Sequence, residues 1–361
     1  MSVGTAESSH TRVTHSTTLS ASMDENVSGR HRVILDVDTG TDDAGALWCA
    51  ATHRSFDLVA ALAGWGNTTR AHTVRNTLSV LRAAGSDAPV HEGFDAPSGP
   101  APTTHGAELV MAGDGLGGVG VDPPAGAVPS AEPAADALVR LASSAPGELT
   151  LVALAPLTTV DAALSLEPLL PSMLRSVVVM GGAVAVSGNV TAAAEANIGH
   201  DPGAAARVIE AFGAPGALAG GEPPMLVPLD ATLRSPLTEP ILEEVARSPL
   251  PGAELIHRVW SAIWETGLIE LGPDGEGAWP CHDLTALWSL VDHAALRWFT
   301  GPLAIDTGRS AAWGATVLDR RGRFATDGAG TWSVAFGVDH QRYLAGVRSW
   351  LQGGSVWRGS S

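Results

Sequence analysis

Residues 33–50 read Val33-Ile34-Leu35-Asp36-Val37-Asp38-Thr39-Gly40-Thr41-Asp42-Asp43-Ala44-Gly45-Ala46-Leu47-Trp48-Cys49-Ala50. The apolar run Val33–Leu35 has the length and composition of a buried strand. Asp36, Asp38, Asp42 and Asp43 follow at once, split into two pairs by Thr-Gly-Thr, and an Ala/Leu-rich helical stretch comes next. On a strand, residues two apart point to the same side, so Asp36 and Asp38 share a face. Asp42 and Asp43 fall in the first turn of the helix, where the macrodipole favours negative charge. Strand end, glycine turn and helix start therefore bring several acidic oxygens to one point, and clustered anions call for a hard divalent cation with oxygen ligands. The plainer alternative is that Asp42 and Asp43 only cap the helix while Asp36 and Asp38 are solvated. An EF-hand loop would need glycine at its sixth position and glutamate at its twelfth, where this chain has Thr41 and Leu47. A haloacid-dehalogenase-type phosphatase would want Thr or Val in place of Gly40 and commonly a later lysine, and the chain has no lysine.

With 361 residues the chain can form one large α/β domain or two smaller ones. A hydrophobic content of 45% and a mean hydropathy of +0.15 suffice for a buried core. No apolar run reaches the roughly 18 residues of a membrane helix. The net charge of −17 argues against nucleic-acid backbones and anionic membranes as partners. Cys49 and Cys281 are too few for a disulfide framework and read as core or near-site thiols.

Residues 1–30 are rich in Ser, Thr, His and Gly, without apolar periodicity or the apolar segment of a secretory signal. They read as a disordered tail, followed by one domain over 31–361. Strands are expected at Phe56–Ala63, Leu149–Leu154, Ser176–Met180, Met225–Val227, Trp298–Ile305, Ala315–Leu318 and Trp332–Phe336. Helices are expected at Ala44–His53, Thr68–Ala84 with Thr68 as N-cap, His105–Met111, Glu132–Ser144, Val160–Leu166 and Pro202–Phe212 with Asp201 as cap. Four more are expected at Leu237–Ala246, Ala253–Thr266, His282–Val291 and His340–Leu351. Two long loops, 93–131 and 183–201, lie between them. Strands alternating with helices predict an α/β fold: a mainly parallel central sheet with helices on both faces. Ligands of such sheets gather beyond the carboxyl ends of the strands. Asp36–Asp43, Asn67, Leu154–Pro156 and Gly181–Asn197 all follow an apolar strand or open a helix.

The segment Asp36-Val-Asp38-Thr-Gly40-Thr-Asp42-Asp43 resembles the N-terminal signature of the inosine–uridine-preferring nucleoside hydrolases, usually Asp-x-Asp-Pro-Gly-x-Asp-Asp, with Thr39 in place of proline. Asn189, Glu195 and Asn197, followed by Asp201-Pro202, are similar to that family's Gly-Asn…Glu-x-Asn…Asp-Pro stretch. Cys281-His282-Asp283-Leu-Thr-Ala-Leu is similar to its His-Asp-Pro-x-Ala stretch, with Leu284 for proline. Leu154-Ala155-Pro156-Leu157-Thr158-Thr159 resembles its Gly-Pro-Leu-Thr-Asn segment. Asn67 matches a sugar-contacting asparagine, and Met225–Asp230 with Thr232 fits a Pro-Leu-Asp-x-Thr segment, read as structural. His105 lies in a His-Gly context that loosely resembles another family segment.

The resemblance implies a Rossmann-like nucleoside hydrolase fold and Ca²⁺-dependent cleavage of a ribonucleoside to ribose and free base. It implies Ca²⁺ held by Asp38, Asp43, Asp283 and the Leu154 carbonyl, with Asp38 as general base. Asp42 and Asn197 would hold the 2′/3′ side of the ribose, and Asn189 and Glu195 its 5′-hydroxyl. His282 would face the leaving base as candidate acid, with Asp36 as support behind the ligands. Trp260 and Trp264, four apart on one helical face, are candidates to stack on the base, with core packing as the alternative. A cytoplasmic homodimer or homotetramer is the implied form. Two other readings keep the fold: a ribose- or nucleoside-binding protein with little turnover, which the intact Asp set disfavours, and a hydrolase of a related ribosyl compound.

Overall fold

The structure, a computed structural model, describes residues 30–102, 113–265, 270–271, 277–322 and 329–353. The tail 1–29, the expected helix His105–Met111 and Thr266 lie outside the described residues.

The Val33–Leu35 run extends into β1, His31–Val37. The following strands are β2 Phe56–Ala63, β3 Val90–Glu92, β4 Leu149–Ala153, β5 Ser176–Met180 and β6 Met225–Val227. Then come β7 Pro236–Thr238, β8 Glu270–Leu271, β9 Gly277–Pro280, β10 Leu296–Ile305, β11 Thr316–Leu318 and β12 Gly330–Val338. Nine of them form one sheet in the order β11-β10-β12-β6-β5-β4-β1-β2-β3. From β12 across to β3 every pairing is parallel, and only β10 is antiparallel to its neighbours. The fold is thus α/β with a mainly parallel mixed sheet.

Both faces of the sheet are covered, and the side-chain alternation of the strands shows how. Val33, Leu35 and Val37 of β1 join one core cluster, with Val152, Val178 and Val227, beneath the helices Thr41–Thr52, Arg70–Ala83, Ala253–Glu265, His282–Trp288 and His340–Leu351. Ile34 joins the other, with Leu151, Val179 and Leu226, beneath the helices Ala134–Ser144, Thr158–Leu166 and Pro202–Phe212. Strands buried on both faces read as continuous apolar runs, which is why β1, β2, β5 and β6 stand out in the sequence.

The strand order reverses at β1. The chain runs outward through β2 and β3, then returns to lay β4 on the other side of β1. Leu154 N–H donates to the Asp36 carbonyl at 2.7 Å, closing the end of this junction. Loops leaving β1 and β4 diverge here, and the crevice between them is where a parallel sheet binds ligands.

Several expectations are corrected. The cap of the second long helix is Thr69, whose side chain accepts from His72 N–H, and the helix spans Arg70–Ala83. Loop 183–201 contains a short helix, Ala196–His200. The helix expected from Leu237 starts at Glu239, because Pro240 belongs in a first turn. Residues 236–238 instead form β7, which joins β8 and β9 in a small antiparallel sheet. Strands of two to four residues are too short to carry a periodicity. The helix opened by His282 ends at Trp288.

Candidate active site

The turn after β1 is held by its own acids. Gly40 caps the helix Thr41–Thr52, and the Asp43 carboxylate accepts from Gly40 N–H at 3.0 Å and Asp38 N–H at 3.2 Å. Thr39 is anchored from the side: its hydroxyl lies 2.6 Å from that of Thr77, and Asn76 Nδ2 donates to its carbonyl at 3.0 Å. These bonds supply the rigidity that a proline would otherwise bring. Asp38 is gripped by Asn67, whose backbone N–H donates to Oδ2 at 2.6 Å and whose Nδ2 donates to Oδ1 at 3.1 Å. The same Nδ2 lies 3.2 Å from Asp43 Oδ2. Gly66, just before Asn67, is required by close approach, because a Cβ there would sit on the Asp38 carboxylate.

Asp283, at the start of the helix His282–Trp288, completes the acidic centre from the far end of the chain. One carboxylate oxygen from each of Asp42, Asp43 and Asp283 lies within 4.8 Å of the others, and all three residues are buried. Burial and the neighbouring carboxylates push the Asp38 and Asp283 carboxyls well above their ordinary range, and Asp43 up to about 7. Asp36, beneath them on β1, is raised by burial and by Asp43. Both Asp36 oxygens are buried without a hydrogen-bond partner among the described residues. Carboxylates in this state must either hold protons or share a cation. The donor set is all oxygen, which suits a hard divalent ion.

The sugar side is built from the loop after β5. Asn197 Nδ2 donates to the Leu154 carbonyl at 2.8 Å and to the Met180 carbonyl at 3.2 Å, joining the ends of β4 and β5. Glu195 is turned inward as the cap of the helix Ala196–His200. Its oxygens accept from Gly182 N–H at 2.8 Å, Asn197 N–H at 2.9 Å and Ile198 N–H at 3.2 Å. Burial raises its carboxyl pKa, and these three donors act against the rise. Asn189 is exposed, and its Oδ1 accepts from Ala196 N–H at 2.9 Å. Asp201 caps the helix Pro202–Phe212 as expected, and also accepts from Thr158 Oγ1 at 2.9 Å and Ser98 N–H at 2.7 Å.

His282 is half-buried, with Nδ1 2.7 Å from Thr232 Oγ1. Trp260 is 2% exposed. Its indole N–H donates to the Thr41 carbonyl at 3.0 Å, and its ring meets Trp279 edge-on at 5.5 Å. Of the two readings offered for Trp260, base stacking and core packing, this position fits core packing: the indole braces the helix that carries Asp42 and Asp43. Trp264 is half-buried against the same core cluster. A groove of about 880 Å³ lined by Arg70, Phe94, Glu132, Asp161 and Leu166, among others, includes none of Asp36, Asp38, Asp42, Asp43 and Asp283. The acidic centre is assigned as the site instead, because buried like charges and converging amides occur there.

The structure thus brings together Asp38, Asn67, Asp43 and Asp283, and it joins Asn197 to Leu154. It adds Asp42 to the acidic centre itself. Thr232, which was read as structural, touches the histidine; no local signal in the sequence links residues fifty apart.

A family model described as inosine–uridine-preferring nucleoside hydrolase matches residues 33–345. A probable uridine nucleosidase 2 of Arabidopsis thaliana is 38% identical over 180 residues, covering 50% of this chain and 56% of that protein. The pyrimidine-specific ribonucleoside hydrolase RihB of Escherichia coli is 29% identical over 293 residues, covering 81% of this chain and 88% of that protein. The structure of a plant nucleoside hydrolase superposes with a TM-score of 0.77 at 28% identity, covering 89% of this chain and 99% of that one.

Proposed function

The chain belongs to the inosine–uridine-preferring nucleoside hydrolase family, and from that premise we propose that it hydrolyses the N-glycosidic bond of a ribonucleoside to ribose and free base, with Ca²⁺ as its cofactor. The observation that carries the reading is the buried convergence of Asp42, Asp43 and Asp283 beside Asp38. Three buried carboxylates whose charged neighbours are other acids fit a divalent cation. Asp43, Asp283, Asp38 and the Leu154 carbonyl would hold it. When bound, such a cation polarises water and ribose hydroxyls and offsets the charge of the acids.

The chain's own residues do the rest. Asp38 is oriented by two bonds from Asn67 and takes a proton from the attacking water as general base. Asp42 stands within the acidic centre and would accept hydrogen bonds from the ribose hydroxyls. Asn197, fixed by the carbonyls of Leu154 and Met180, bounds the 2′/3′ side, and Asn67 adds a further sugar contact. Glu195 and Asn189 set the loop on the 5′ side; Glu195 does so by capping the helix that presents Asn197. The bond breaks through a state with positive charge on the sugar ring, and the surrounding carboxylates stabilise that charge. His282 protonates the departing base. Of the two tryptophans, Trp264, half-buried where Trp260 is buried, is the one left as a candidate to stack on the base.

The protein acts as a cytoplasmic homodimer or homotetramer in nucleoside catabolism. Among the described residues no helix is long and apolar enough to cross a membrane. Two relatives carry uridine or pyrimidine names, so uridine is the first substrate to try, with inosine beside it. The test is base release from a panel of ribonucleosides, with added Ca²⁺ and after chelation. Release only with Ca²⁺ is the expected result. Full turnover in chelated protein, or no base release from any nucleoside, overturns the proposal.

A further inference from the structure

β6 ends at Val227, and Pro228 caps a single helical turn, Leu229–Thr232. This turn is fastened from two sides. The Asp230 carboxylate accepts from Val184 N–H and Ala185 N–H, both at 2.8 Å, and Leu229 N–H donates to the Gly182 carbonyl at 2.9 Å. On the other side the segment is laddered onto the helix His282–Trp288. Thr232 Oγ1 lies 2.7 Å from His282 Nδ1, and Ser235 Oγ lies 2.8 Å from Thr285 Oγ1. The partners are three residues apart on each strand of this ladder, so the two contacts set one register. Thr232 is fully buried, so no solvent competes for its hydroxyl.

We propose that Thr232 is a positioning residue for the leaving-group step: its hydroxyl holds Nδ1 of His282, so that Nε2 is the nitrogen presented to the departing base. This rests on the reading of His282 as the acid. The hydrogen bond on one ring nitrogen decides what the other can do. In the acid form of the ring, Nδ1–H donates to Thr232 Oγ1. When the C1′–N bond breaks, its electron pair goes to the base nitrogen and the Nε2 proton moves to the base. The ring is left neutral with its Nδ1–H still on Thr232, and it regains a proton from solvent water. A hydroxyl accepts throughout this cycle, whereas a methyl in its place takes this acceptor away from Nδ1–H.

The test compares wild type with Thr232→Val, Thr232→Ala, Thr232→Ser and His282→Ala. Each is assayed for kcat and KM on uridine, inosine and a nitrophenyl riboside, whose leaving group needs no proton. For Thr232→Val and Thr232→Ala, nucleoside kcat is expected to fall by about tenfold or more, a part of what a general acid contributes. Their KM and their nitrophenyl riboside rate should stay within about twofold. Thr232→Ser, which keeps the hydroxyl, should restore nucleoside kcat. The two hydroxyl-free variants differ in size, so either one suffices if the other does not fold. Wild-type nucleoside turnover in a folded hydroxyl-free variant overturns the proposal. So does an equal loss on all substrates, or a Thr232→Ser variant as slow as Thr232→Val. His282→Ala is the separate control: if it slows the nitrophenyl riboside as much as uridine, the acid reading of His282 fails, and the inference about Thr232 fails with it.

Discussion

Asp38 spends both carboxylate oxygens on one neighbour, Asn67, and is buried among acids. Two forces therefore act on an Asp38→Asn variant. The new amide cannot accept a proton from water, and it sets an N–H₂ against one of the Asn67 donors. It also removes a charge from a crowded acidic centre, which relieves repulsion. The expected outcome is a fall in turnover of about 10²–10⁴-fold, the range for a lost general base, with a melting temperature close to that of the wild type. Steady-state kinetics and thermal melting on the same preparation check both halves. Turnover near the wild-type rate would move the base to another residue.

At the scale of elements, the helix Ala253–Glu265 matters for what it supports. Trp260 crosses onto the helix Thr41–Thr52, and Gly45 leaves room for it: a Cβ at Gly45 would lie 2.5 Å from the indole. The indole N–H satisfies the Thr41 carbonyl beside Asp42. Trp260→Ala is expected to cost about 3–5 kcal/mol of stability, as for other large-to-small core changes, with KM for nucleosides little changed. Denaturant unfolding and KM measured together decide it. A raised KM with stability intact would return Trp260 to the base pocket.

For the whole molecule, pH dependence follows from buried groups of opposite sign. Burial lowers the His53 and His200 pKa to about 4. Their contribution to stability is complete above about 6.5 and is lost as pH falls from there toward 4. The acidic centre works the other way. Its carboxyls are raised by burial and mutual repulsion, Asp43 to about 7 and Asp36, Asp38 and Asp283 well above the ordinary range. Folding then binds protons, so metal-free stability falls as pH rises from about 4 through the folded values. Above about pH 6.5 the carboxylate effect continues, and the Cys49 and Cys281 thiols, pushed up by burial, add to it in the same direction near pH 8.5, so the melting temperature of chelated protein should decline toward pH 8.5. A cation held by these acids would displace those protons, so added Ca²⁺ is expected to raise the melting temperature more at pH 8.5 than at pH 6.5. Scanning both conditions with and without chelator checks this, and an equal shift at the two pH values would argue against a cation on these acids. A chain beginning at Gly29 is expected to melt and turn over as the full chain does, since residues 1–30 are rich in Ser, Thr, His and Gly and poor in apolar side chains. A large loss of activity would tie the tail to the site or to a subunit contact.

Local chemistry made much of this protein legible in its sequence. Apolar runs buried on both faces marked β1, β2, β5 and β6, and Asp201-Pro202 marked a helix start, because these signals lie within a few residues of one another. The four acids after β1 announced a charge problem that only a cation or protons could solve. Which acids meet was decided elsewhere. Asp42 joins Asp283 because the helix His282–Trp288 packs against the helix Thr41–Thr52 and against β5 and β6, a consequence of tertiary packing and not of spacing. The same long-range packing put Trp260 in the core, turned Glu195 inward as a cap, and set Thr232 against a histidine fifty residues away. Sequence by itself determined most of the longer elements and the kinds of side chain at their ends, and it left out the short strands β3, β7, β8 and β9. Tertiary structure alone decided the partners, because contacts between distant residues are set by how whole elements bury their apolar faces.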